Sequence, residues 1–241
     1  MLCRFCYKDK TLIEAHIIAR CLHERLLDPF GPMMLISKDA NNFPKRTHTG
    51  QYDKGILCAD CDGKFSPWEQ YTARLLVTPG AYEKYKDANP HEDFYTIDEF
   101  DYSSLKLCFL SILWKMSVST LPSFRNVRLG PFEATIRQML QDKNPGAVDD
   151  FPIVLVRLID KLGSSILPGT TELKKYCERN VYQLGLPGYL GIVKVDSRST
   201  PMPLGPRVLA PGKPLIIGIT HSNLSLASIY YDFFDKSPRR E

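Results

Sequence analysis

Two Cys-x-x-Cys pairs, Cys3 with Cys6 and Cys58 with Cys61, constrain this chain more than any other feature, and 51 residues lie between them. Each pair turns two thiols towards one point. Together they supply the four soft ligands that tetrahedral Zn²⁺ takes, with no position left open for water. The expected site is therefore structural, formed by Cys3, Cys6, Cys58 and Cys61. The alternative is two unrelated pairs of buried or free thiols. A metal closing so long a loop would contribute on the order of 10–16 kcal/mol to folding. A segment of this length has little core of its own and needs that help.

The residues inside the loop suggest a small fold. Leu12–Ile18 is rich in β-branched residues and reads as a strand ending near His16. Ala19–Leu27 has helical spacing, stopped by Asp28-Pro29. Met33–Ser37 reads as a short strand, and Asp39–Gly50 as a polar loop in which Lys45 and Arg46, with nearby Lys54, can meet phosphate. After the second pair, Ser66-Pro67-Trp68-Glu69 has the form of a capping box opening a helix to about Val77. His23 is expected on an exposed helix face, and His48 is a second, weaker histidine candidate.

The order Cys3-x-x-Cys6, Ala15-His16-Ile17-Ile18 and Ile56-Leu57-Cys58-x-x-Cys61-Asp62 resembles the zinc-stapled branch of the HNH endonucleases. The resemblance covers the first third of the chain. It implies a ββα-metal fold in which His16 is the general base that activates water against a phosphodiester. It also implies a divalent cation, Mg²⁺ or Mn²⁺, at the phosphate. The chain departs from the family pattern at three places. Ala15 stands where many members carry a metal-binding Asp or His, Asp53 occupies the slot of the middle Asn, and Asp62 replaces the last His or Asn. The site is then either active with a rearranged carboxylate set or catalytically dead. In the active case His16, Asp53 and Asp62 are the catalytic residues, and Asp62, Glu14 and Glu69 are candidate ligands of the divalent ion, since hard cations take carboxylate oxygen.

A chain of 241 residues fits one large or two small domains. The expected division is a zinc-bound HNH-like module over 1–80, a linker over 81–100, and an α+β domain over 101–241 for a partner or for dimerisation. In that second half, Asp101 opens a strongly apolar helix through Met116, the expected central buried element, and a further helix runs from Phe132 to about Gln141. Strands follow at Phe151–Ile159, Val181–Leu184, Tyr189–Val195 and Leu215–Thr220, which suggests an antiparallel sheet. A proline-rich loop spans 198–214, and Leu224–Phe234 reads as a last amphipathic helix before a charged tail. No phosphate loop, nucleophile elbow or nucleotide fingerprint occurs there.

The formal net charge of +4 permits nucleic-acid contact without requiring it. Cys21, Cys108 and Cys177 read as reduced, mostly buried thiols, which points to the cytoplasm. No signal peptide or apolar run of membrane-spanning length is expected. The leading functional expectation is a metal-dependent endonuclease on nucleic acid, DNA favoured, working in a bacterial or phage defence system beside a partner such as an ATPase, or as a homodimer. Its alternative is a catalytically inactive zinc-binding module that docks on protein or nucleic acid. A zinc-dependent DNA-binding regulator is the third reading, weakened by the absence of a basic recognition helix.

Overall fold

The computed structural model describes residues 1–23, 33–36, 45–47, 50–78, 80–88, 93–159, 166–168, 173–202 and 204–221. His48, residues 24–27 of the expected 19–27 helix, the Leu224–Phe234 helix and the charged tail lie outside them.

The first third contains β1 (Ala15–His16), β2 (Met33–Ile36), β3 (Lys45–Thr47) and β4 (Tyr52–Asp53). Two short helices follow, α1 (Ala59–Asp62) and α2 (Ser66–Thr72), and α2 continues as one π turn over Ala73–Val77. β1 and β4 form an antiparallel pair in which Ala15 faces Asp53 and His16 faces Tyr52. Where a helix was expected after His16 there is a 3₁₀ turn, Arg20–Leu22, and His23 beside it is wholly buried rather than exposed. The expected polar loop contains β3, paired with β2.

The segment read as a linker contains α3 (Ala81–Ala88) and β5 (Phe94–Ile97). Beyond it come α4 (Tyr102–Val118), α5 (Phe132–Asp142), β6 (Ile153–Ile159), β7 (Ile166–Pro168), β8 (Leu173–Tyr176), β9 (Arg179–Leu186), β10 (Tyr189–Lys194) and β11 (Leu215–His221). The helices and sheets together make an α+β fold. The main sheet has six strands in the order β5-β11-β6-β10-β9-β8. It is mixed rather than antiparallel throughout, because β11 runs parallel to β6. A three-stranded sheet, β3-β2-β7, joins the first third to the second half through the parallel pair β2–β7.

α4 forms where Asp101 accepts a hydrogen bond from the Ser104 amide at 3.0 Å, an N-cap that satisfies one of the four free donors at the helix start. Its apolar residues are buried around its circumference, as its sequence predicts. One side packs on the sheet. Successive residues of β6 alternate faces, so Ile153 and Leu155 join the core with α4, while Val154 and Val156 belong to a smaller cluster with Val181 and Ile192. Gly191 lets α4 approach closely, since a Cβ there would stand 2.4 Å from the Phe109 ring. The other side of α4 packs on the first third, where Trp114 meets Phe5 at 5.2 Å between ring centroids. One continuous core therefore runs from Cys3 to Ile219, across the boundary expected between the halves. No helix among the described residues is long and apolar enough to cross a membrane.

Candidate metal centre and the cleft beside it

The first cysteine pair sits in a tight turn. The Tyr7 amide donates to the Cys3 carbonyl at 2.9 Å, and Tyr7 takes a positive φ of 54°. The second pair is set by the start of α1, where the Cys61 and Asp62 amides reach the Cys58 carbonyl at 3.1 and 3.0 Å. Main-chain bonds bring the turns together: Arg4 to Ile56 at 2.8 Å and Ile13 to Leu57 at 2.9 Å. From the second half, Gln141 and Arg137 of α5 donate to the Phe5 carbonyl at 2.8 and 3.3 Å, and the Arg137 guanidinium lies over the Tyr7 ring. The four sulfurs of Cys3, Cys6, Cys58 and Cys61 all lie within 4.8 Å of one another.

That spacing suits a metal ion. Sulfurs about 2.3 Å from a tetrahedral centre stand about 3.8 Å apart, well inside the observed limit. The electrostatics are uneven. Burial pushes the Cys3 thiol up, but the amides of Cys6, Cys58 and Phe5 outweigh it and bring it down to about 7. Burial, followed by the neighbouring Cys58 and Cys6 thiols, pushes Cys61 up. Without a cation the pocket favours a thiolate at Cys3 and resists one at Cys61, and a divalent ion removes that conflict.

Beside the cluster is an open cleft of about 240 Å³, whose lining includes His16, Arg20, Cys21, Asp62, Glu69 and Gln70. His16 enters from β1, Asp62 from the end of α1 next to Cys61, and Glu69 from α2. His16 Nε2 is enclosed and has no hydrogen-bond partner among the described residues. The rings of Tyr52 and His23 stand 6.2 and 6.5 Å from its imidazole. Burial pushes the Asp62 carboxyl up; the Lys115 charge pulls it back, Glu69 adds to the rise and His16 opposes it.

The remaining candidates go elsewhere. Asp53, expected to assist His16, does not line the cleft. Its carboxylate is 1% exposed and accepts from the Gly55 amide, the Ser119 hydroxyl, and both the amide and the hydroxyl of Thr120. Glu14 is exposed and paired with Lys54, also exposed, at 2.7 Å. Glu69 completes no capping box. The N-cap position is Phe65, without a side-chain cap, and Ser66 is already helical. Glu69 instead meets Lys115 Nζ at 2.8 Å, with both side chains buried. Asp62, Glu14 and Glu69 thus do not converge as one ligand set; among the described residues the four cysteines are the one group of three or more that can hold a metal. Cys177, expected buried, is exposed, whereas Cys108 is buried and pushed up to about 12 by that burial.

Lys115 is the residue that sequence reasoning passed over. Its signal was present, because a lysine between Trp114 and Met116 in a helix apolar on all sides must find an acceptor inside the protein. Such a signal tells that a partner exists and not which one. No family model, curated protein or solved structure matches this chain.

Proposed function

We propose that this protein is a metal-dependent nuclease of HNH-like design, with a structural zinc ion on Cys3, Cys6, Cys58 and Cys61 and its reacting groups in the adjoining cleft. The observation that carries the reading is the joint placement of His16 and Asp62. A β-pair followed by a helix, stapled by four sulfurs, brings His16, whose Nε2 is enclosed without a partner among the described residues, and the half-buried Asp62 into the lining of one open cleft.

In this reading the His16 imidazole takes the proton of the attacking water, the role of a general base. Asp62, whose carboxylate accepts no hydrogen bond among the described residues, is the side chain that would hold a divalent cation. When bound, that cation neutralises the phosphate charge and stabilises the leaving oxygen. Arg20, in the cleft wall, adds positive charge facing the backbone of a nucleic acid. All seven cysteines are free thiols, which suits a reducing cytoplasm. DNA is the favoured substrate, and a partner protein such as a defence ATPase is the favoured trigger.

A specific observation supports the alternative of an inactive docking module. Ala15 is fully buried and offers no ligand beside His16, and Glu69 is tied to Lys115, so among the described residues Asp62 stands as the lone unpaired carboxylate of the cleft. Supercoiled plasmid incubated with metal-loaded protein and Mg²⁺ or Mn²⁺ separates the two. The nuclease nicks or linearises it, and His16→Ala lowers the rate by about 10²–10⁴-fold, the range for loss of a general base. Absence of cleavage by the wild type with either cation, alone and with partner candidates, favours the docking module.

A further inference from the structure

The end of α4 grips both strands of the β1–β4 pair. Lys115 donates to the main-chain carbonyl of His16 at 2.9 Å, on β1. Ser119 and Thr120, just past the helix, hold the Asp53 carboxylate of β4 at 2.6–3.0 Å. Gln51, preceding β4, donates to Ser123 at 2.8 Å. Two strands of two residues each do not hold a shape unaided. The position of His16 is thus set by what grips the pair from outside.

Lys115 is the costly member of that grip. Its side chain is 1% exposed, and an ammonium so enclosed costs several kcal/mol unless well paired. A methionine would fill the same volume in this apolar helix without that cost. What lysine adds is a donor aimed at His16 and a counter-charge for Glu69. Lys115 is absent from the cleft wall, so it does not touch a bound phosphate; it acts through those two residues and through its charge on Asp62.

We infer that Lys115 is a positioning residue for His16: its ammonium, reaching from α4 of the second half, bridges the His16 carbonyl and Glu69 and fixes the imidazole against Asp62. The inference rests on the nuclease reading and deepens it. The second half supports two residues of the cleft wall from behind and is more than an appended partner domain.

The test uses full-length protein carrying ¹³C-carbonyl histidine and ¹⁵N-isoleucine. His16–Ile17 is the one His-Ile step in the sequence, so a carbonyl–amide correlation spectrum shows a single peak. The variants are E69Q, K115M/E69Q and K115R; the double change removes both buried charges together, which such sites tolerate better than losing one. The expected result is a peak little moved in E69Q, displaced in K115M/E69Q and near its wild-type place in K115R, with zinc content retained. Single-turnover cleavage falls a further 10- to 100-fold from E69Q to K115M/E69Q at similar KM, the size of effect that follows a misplacement of about 1 Å. K115R recovers part of it. K115Q/E69Q decides the same question if K115M/E69Q does not fold. A peak unmoved in the double variant, at the rate of E69Q, overturns the assignment of Lys115 while the nuclease stands. No cleavage by metal-loaded wild type removes the nuclease reading, and the catalytic meaning of the bridge with it, whatever the peak does.

Discussion

Replacing Asp53 by Asn separates a structural carboxylate from a catalytic one. Oδ1 of Asp53 faces the Gly55 amide at 2.8 Å, and Oδ2 faces the Thr120 amide at 2.6 Å. The hydroxyls of Ser119 and Thr120 can rotate and become donors or acceptors as required. The two amides cannot. Asn has one carbonyl oxygen, so its NH₂ must confront one of these N–H groups. A charge-assisted bond worth about 1.5–3 kcal/mol is lost and a buried amide is stranded at about 1–3 kcal/mol more, so a net loss of about 3–4 kcal/mol is expected after partial relaxation. For a domain of this size each kcal/mol moves Tm by about 2–4 °C, giving a fall of roughly 6–16 °C by calorimetry in zinc-replete buffer. The pH dependence carries the same signature. Burial pushes the Asp53 carboxyl up, but the Gly55, Ser119 and Thr120 donors outweigh it and hold the group below its usual range. The folded state thus binds fewer protons than the unfolded one. Its stabilisation is complete above the unfolded value of about 3.9 and is lost as pH falls through the lower folded value. Asp53→Asn removes that part of the acid dependence. A Tm fall under about 2 °C, or cleavage abolished at unchanged stability, refutes the structural account and returns Asp53 to the chemistry.

Metal analysis of pure protein should find about one zinc per chain. Chelation or Cys58→Ser should remove it and abolish or sharply lower the thermal transition, because binding energy at such a site is folding energy; metal well below that ratio, with a melt indifferent to chelator, contradicts the site. Gly191→Ala should destabilise by about 1–3 kcal/mol, since the new Cβ meets the Phe109 ring at 2.4 Å and α4 must lift from β10; an unchanged denaturant midpoint would mean that this contact is looser than the structure has it.

The parts of the structure legible in the sequence were those decided locally. The cysteine spacing announced the four-sulfur cluster, Asp101 with Ser104 announced α4, and strand-forming runs divided by Pro and Gly turns announced β6, β9 and β10. What stayed hidden was decided by distant partners. Nothing near Glu69 distinguishes an N-terminal cap from a buried acid; the difference lies in Lys115, far along the chain. Asp53 looks like a site residue until Ser119 and Thr120 close on it. His23 has a polar identity that argues for exposure, yet it is wholly buried beside Gly50, where an added Cβ would come within 2.9 Å of its ring. The parallel pairing of β11 with β6 was illegible for a related reason: strand identity shows in the residues, but strand order shows only in the assembled sheet.

Within that sheet, and among the described residues, β5 pairs with β11 alone, and β11 ends at His221. During synthesis β5 leaves the ribosome more than a hundred residues before its only neighbour. Until then it is an unprotected edge, of the kind that recruits foreign strands. The sheet closes late, across large sequence separation, and formation of the native topology is correspondingly slow. In the nascent chain the cysteine turns are complete while β5 and one edge of β6 still lack β11, the strand that joins them, and unpaired edges of that kind are prone to aggregate until it arrives.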